Sequence, residues 1–288
     1  MIGPLETNHR VQLDERPFPG PSGSLYLRSV LPSNNLPHLA RLGLIHGYGD
    51  HSGRYARFMR WMAERGIACH AVDLRGQGKA AGRRGFVRRW GDYLDDVAAF
   101  VALDALRGNG PLFLLGHSHG ALVLAAGVLR GLGADGSVAG CVLSSPFFRN
   151  RMEVPRHKLI FGRVMEPVLP WLRVRTGVRP EWMSSDAEMI AENRVDPLVT
   201  PFATPRWFFG QRKAQRWVME SAAGFRLPLL VLVGGADPLA DPAGGREFYE
   251  RAGSKDKTLI TYPGHLHELL RETQRERVFA DVLGWLRR

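Results

Sequence analysis

Cysteine is nearly absent from this 288-residue chain: only Cys69 and Cys141 occur, each inside a short apolar stretch. Two such residues make neither a disulfide framework nor a thiolate metal cluster. The fold must therefore rest on an ordinary hydrophobic core, with both thiols expected to be free and buried in a reducing cytoplasm. Also missing is any run of eighteen apolar residues, which excludes a membrane-spanning helix of ordinary length. Residues 1–16 carry Glu6, Arg10, Asp14 and Glu15 and no apolar centre, so a secretory signal is not indicated. No H-E-x-x-H, Cys cluster or phosphate-binding loop occurs, and neither a metal nor an organic cofactor is expected. Negative charge is scarce as well: 28 Asp and Glu against 39 Lys and Arg leave a formal net charge of +11. Such a surplus draws a protein toward nucleic acid or anionic surfaces. Here the cations are scattered, with only Arg83, Arg84, Arg88 and Arg89 tightly grouped, and no nucleic-acid module accompanies them. No nucleic-acid partner is expected, whereas transient contact with an anionic membrane surface stays open.

What is present is a repeating alternation of short apolar runs and amphipathic stretches. Ser24–Leu31 alternates as an early antiparallel strand, and the turn-rich Pro32–Pro37 follows it. Strands are expected over 42–45, 67–72, 112–115, 138–143, 229–233 and 258–262. Helices are expected over about 52–65, 92–106, 119–132 and 268–286, the first with Phe58, Trp61 and Met62 on its apolar face and ended by Gly66. This βαβ series predicts a mostly parallel sheet covered by helices on both faces, with active residues at the carboxyl ends of the strands. Residues 147–225 break the rhythm with helix-like segments, many prolines and many aromatics but no convincing buried strand. They read as an inserted helical cap on a core made of 1–146 and 226–288.

Gly116-His117-Ser118-His119-Gly120 fits G-x-S-x-G, in which glycines relieve a sharp strand-to-helix turn and leave a serine hydroxyl exposed at its tip. The pentapeptide alone is weak evidence, but an apolar strand precedes it and an Ala/Leu/Val-rich helix follows, whose N-terminus favours developing negative charge. Acyl transfer also needs two backbone N–H groups for the oxyanion. His119 follows the nucleophile, and Tyr48 sits in the His46-Gly47-Tyr48-Gly49 turn after an early strand. His46 is read as a brace for that turn. The acid should follow a late strand and the base should precede the last helix. Asp237 fits the first place, with Asp241 as competitor, although Asp241-Pro242 looks like a helix cap. His265 and His267 both fit the second, His267 lying closer to the helix.

These residues together resemble the monoacylglycerol lipase and lysophospholipase branch of the α/β hydrolases, the serine aminopeptidase group. His46 through Tyr55 is similar to its H-G-x-G-E-H-S-x-R-Y signature. Asp73 through Gly85 is similar to D-x-R-G-H-G-x-S-x-G-x-R-G, and Asp196-Pro197-Leu198, Gly235-Ala236-Asp237 and Tyr262-Pro263-Gly264 through His267-Glu268 follow in order. The resemblance implies the α/β-hydrolase fold, Ser118 as nucleophile, Asp237 as acid, His267 as base, and Tyr48 and His119 as oxyanion donors. It departs from the family at Gln77, Lys79, His119 and Ala121. It implies a small lipid or ester substrate such as a monoacylglycerol or lysophospholipid, with Phe147, Phe148, Met165, Trp207 and Phe208 lining an acyl channel. Phe161, Trp171, Leu172 and Phe209 are further candidates for that lining. Competing readings are a small-ester esterase or peptidase, a cofactor-free haloperoxidase or carbon–carbon hydrolase, and a non-catalytic binding module on the same scaffold.

Overall fold

The computed structural model describes residues 11–33, 36 and 38–288. The N-terminal stretch read for a signal falls outside the described residues over 1–10, as do Asn34, Asn35 and Pro37 of the turn-rich break. A hairpin opens the fold, β1 (Val11–Gly20) and β2 (Gly23–Pro32), followed by β3 (Ala40–Ile45), α1 (Ala56–Ala63), β4 (Ile67–Asp73) and α2 (Asp92–Val101). β5 (Leu112–His117), α3 (His119–Leu129) and β6 (Gly140–Ser144) come next. Between β6 and the next sheet strand lie α4 (Arg156–Val168), β7 (Val174–Arg175), α5 (Ala187–Val195), β8 (Phe202–Ala203) and α6 (Pro205–Ser221). The chain then returns through β9 (Leu229–Gly234), α7 (Pro242–Arg251), β10 (Lys257–Tyr262) and α8 (Arg275–Leu286).

Among the described residues, eight strands form one sheet in the order β1-β2-β4-β3-β5-β6-β9-β10. The two pairings at the β1 edge are antiparallel and all others are parallel. Parallel strands covered on both faces need apolar side chains on both, and β9 shows the result. Leu229, Val231 and Val233 join a core with α3, α6 and α7, while Leu230 and Leu232 join a second core with α1 and α8. Both cysteines are buried and free, and burial pushes both thiols up, away from reactive thiolate.

The differences from expectation have local causes. β1 carries no apolar run because it is an edge strand with Asp14, Glu15, Arg16, Pro17 and Pro19, in which only Phe18 is fully buried. The expected last helix is split into a 3₁₀ turn at Leu269–Arg271 and α8. Glu272 lies at the break, where its carboxylate accepts the backbone N–H groups of Ser185, Leu266 and Thr273. Within 147–225 the only strands among the described residues are the two-residue pair β7 and β8. No helix among the described residues is long and apolar enough to cross a membrane.

Candidate active site

The carboxyl ends of β3, β5, β9 and β10 converge on one point. Ser118 stands between β5 and α3 with φ 54° and ψ −117°, a left-handed conformation that a side-chain-bearing residue adopts only under constraint. The glycines beside it supply room. A Cβ on Gly116 would lie 2.6 Å from the Cα of Ala121, and one on Gly120 would run into the carbonyl oxygens of Ile45 and His46. The H-G-x-G turn packs in contact with the same residue, since a Cβ on Gly47 would be 3.4 Å from that of Ser118.

The Ser118 hydroxyl donates to His267 Nε2 at 2.8 Å, and His267 Nδ1 donates to Asp237 Oδ2 at 2.7 Å. Asp237 is held in turn by the backbone N–H groups of Leu239 and Ala240 at its other oxygen, at 2.8 and 3.0 Å. The competing residues are engaged elsewhere. Asp241 caps α7 by accepting from the Ala243 N–H, and His265 packs its ring over Tyr262. His46 braces its turn as expected, donating from Nδ1 to the Gly47 carbonyl at 2.6 Å and accepting the Leu74 N–H at Nε2.

Burial pulls the His267 pKa down, but the charge and hydrogen bond of Asp237, with Glu268 and Asp50 behind it, outweigh burial and leave it above its ordinary value. Two of those carboxylates belong to a buried ionic network. Arg54 donates to Asp50 at 3.0 Å and to Glu268 at 3.2 Å, Tyr55 donates to Asp50 at 2.7 Å, and Arg271 joins Glu268 to Glu192 of α5. Burial alone would raise the Asp50 carboxyl, yet Arg54, His46, His51 and Arg271 hold it below the usual carboxylate range. The 147–225 segment is sewn to the same region. His51 pairs with Asp196 at 2.8 Å, the Thr200 N–H donates to the Gly49 carbonyl, and the Glu268 N–H donates to the Met183 carbonyl. The sequence motifs contained Asp50, Arg54, Asp196 and Glu268, but nothing in their spacing showed that they meet.

Tyr48 and His119 both border the reaction point. The Tyr48 ring stacks on Trp207 with centroids 3.5 Å apart. His119 Nε2 accepts the indole N–H groups of Trp90 at 3.2 Å and Trp207 at 3.3 Å, so its remaining proton sits on Nδ1. Burial pushes its pKa down to about 3 and keeps the ring neutral. A cavity of about 650 Å³ opens above Ser118 and His267. Phe147, Phe161, Trp207, Phe208 and Phe209 line it, as do the polar Asn150 and Gln211, which the sequence did not single out. Phe148, Met165, Trp171 and Leu172 are not among its walls. Phe148 follows Phe147 directly and turns the opposite way, into the core against Phe248 at 4.4 Å. Met165 and Trp171 lie on or just beyond α4 and are partly solvent-exposed.

The family model described as Serine aminopeptidase, S33 matches residues 37–274. The chain is 30% identical to a monoacylglycerol lipase of Mycolicibacterium smegmatis, covering 84% of this chain and 86% of that protein. It is 29% identical, over 92% of its own length, to an uncharacterized abhydrolase domain-containing protein of Dictyostelium discoideum, of which it spans 28%. Among solved structures, the monoacylglycerol lipase of Paleococcus ferrophilus superposes with a TM-score of 0.79 at 25% identity, covering 96% of this chain and 98% of that one.

Proposed function

The chain belongs to the serine aminopeptidase S33 family, with the α/β-hydrolase fold, and from that premise we propose that it hydrolyses the carboxylic ester of a single-chain lipid, a monoacylglycerol or lysophospholipid, through an acyl-enzyme on Ser118. The observation that carries this reading is the hydrogen-bonded line from Ser118 through His267 to Asp237 at the floor of an aromatic-walled cavity. His267 takes the serine proton as Oγ attacks the ester carbonyl, and Asp237 holds the ring tautomer and stabilises the imidazolium. The backbone N–H groups of Tyr48 and His119 receive the oxyanion. The protonated His267 then gives its proton to the leaving alcohol, and a water deprotonated by the same ring releases the acid. Phe147, Trp207 and Phe208 take up the acyl chain, and residues 147–225 act as a cap over the core formed by 1–146 and 226–288.

The same cap is the surface we assign to the membrane. α4 exposes Ile160, Phe161, Val164 and Val168 beside Arg156, Lys158 and Arg163, apolar and cationic groups together, which suits the interface of an anionic bilayer. Because its substrate partitions into lipid, such docking shortens the path to the cavity.

The test is hydrolysis of monoacylglycerols and lysophospholipids of graded chain length beside p-nitrophenyl esters and a peptide amide. Single-chain lipid esters of medium or long chain are expected to give the highest kcat/KM; a preference for the amide or for acetate alone would overturn the lipid assignment. The pH profile supplies a second check. His267 acts as base only when neutral, and its pKa is raised, so kcat/KM should climb with pH through a midpoint above the ordinary histidine value of about 6.5 and then level off. Glu268→Gln removes one of the negative charges that raise it and should move that midpoint downward.

A further inference from the structure

Away from the reaction cavity, a groove of about 350 Å³ lies between the loop entering α2, the end of α3 and the outer face of α6. Its charge is one-sided: Arg88, Arg89, Arg130, Arg206 and Lys213 line it, against the single carboxylate of Glu166. Arg89 is occupied by Asp92 and Arg206 by Glu166. Among the described residues no carboxylate pairs with Arg88, Arg130 or Lys213. These cations come from three elements distant in sequence, so their gathering is a property of the fold and not of a basic run.

The floor of the groove is apolar. Trp90, Leu94, Ala214 and Trp217 form it, with Arg130 lying over the Trp217 ring at 5.3 Å. Gly210 lets α6 press against Trp90, where a Cβ would be 2.9 Å from the Cβ of the tryptophan. Trp90 is also the partition between the two cavities, since its indole N–H donates to His119 on the other side. Cations lining the groove together with two tryptophans describe a receptor for an anionic head on an apolar body.

We propose that this groove is a second binding site, for an anionic amphiphile: a carboxylate or phosphate monoester carried on an alkyl chain. Two sources share that chemistry, the free acid that the proposed hydrolysis releases and the headgroup of an anionic lipid. The inference rests on the proposed function only for the first of these sources.

Equilibrium dialysis of the full chain against dodecanoate, dodecyl phosphate and the uncharged dodecanol tests it, with tryptophan fluorescence recorded alongside. Both anions are expected to bind at least about tenfold more tightly than the alcohol, since the lining cations act on the head alone. Arg130→Glu with Lys213→Glu, two exposed residues that line this groove and not the reaction cavity, should abolish that preference. Lys255→Glu with Arg226→Glu, the same change in charge at two exposed residues lining neither cavity, should leave it intact. Equal binding of the alcohol, or a preference that survives the double reversal, overturns the proposal. Displacement of bound dodecanoate by vesicles containing phosphatidylglycerol, but not by purely zwitterionic ones, assigns the site to a lipid headgroup; no displacement by either assigns it to the free acid. Binding without any ester turnover would condemn the hydrolase reading alone, and turnover without binding would condemn the second site alone.

Discussion

Ser118→Ala is expected to lower kcat on any ester substrate by at least about a thousandfold and to abolish labelling by a fluorophosphonate, with thermal stability close to that of the parent. The reason is that no other hydroxyl is placed to make the attack: Ser118 alone donates to His267 Nε2 among the described residues. Its neighbours in the triangle carry a graded form of the same expectation. Asp237→Asn keeps the shape but offers an amide where Nδ1 needs an acceptor, which favours the wrong ring tautomer and should cost about ten-thousandfold in kcat. It should also remove the largest upward pull on the His267 pKa and lower it. His265→Ala, at the competing histidine, should leave kcat within about threefold of the parent, because its ring packs at a tilt against Tyr262 and makes no hydrogen bond to Ser118 or Asp237. Turnover and labelling that survive Ser118→Ala would sink the mechanism.

Arg54→Met should be among the most destabilising single changes outside the apolar core. The guanidinium is buried and joins two carboxylates, Asp50 and Glu268, that are themselves buried. Removing it leaves the buried Asp50 carboxylate without an ion-pair partner and Glu268 with Arg271 alone, a loss of about 3–5 kcal/mol, which for a domain of this size corresponds to a fall in Tm of roughly 10 °C. Loss of the positive charge should also raise the His267 pKa further and move the midpoint of the pH profile upward. Arg54→Lys keeps the charge without the two-pronged donor geometry and should recover only part of the stability. Differential scanning calorimetry beside Arg57→Met, an exposed arginine nearby, decides the matter: equal shifts for the two variants would show that the network contributes nothing.

Much of the fold was legible because burial on both faces of a parallel strand leaves an unmistakable apolar run. Leu112–Leu115 and Leu229–Val233 announced themselves in that way, and the strand-helix alternation then implied the sheet. β1 did not, since an edge strand buries little and carries no such run. The candidate site was legible for a different reason: each chemical group sits in a local motif whose spacing reflects a turn, as at Gly116–Gly120 and Tyr262–His267. Phe148 and Met165 stand outside the cavity walls and Phe147 and Phe208 within them, a distinction that composition does not carry, because it reports that a side chain is apolar and not which of two apolar environments it enters.

By itself, then, the amino-acid order determined the buried strands of the sheet, the elbow at Ser118 and the short menus of partners, Asp237 or Asp241 and His267 or His265, since each depends on residues within a few positions of one another. Which member of each menu reaches Ser118 was decided by tertiary structure, because a gap of 149 residues between Ser118 and His267 is closed only when β5 and β10 take their places in one sheet. The Arg54 network, the anchoring of 147–225 at His51 and Met183, and the cationic groove around Trp90 arose in the same way. Electrostatic energy falls off with distance in space and is indifferent to separation along the chain, so charges drawn from turns, loops and helices become one system only after the core has packed.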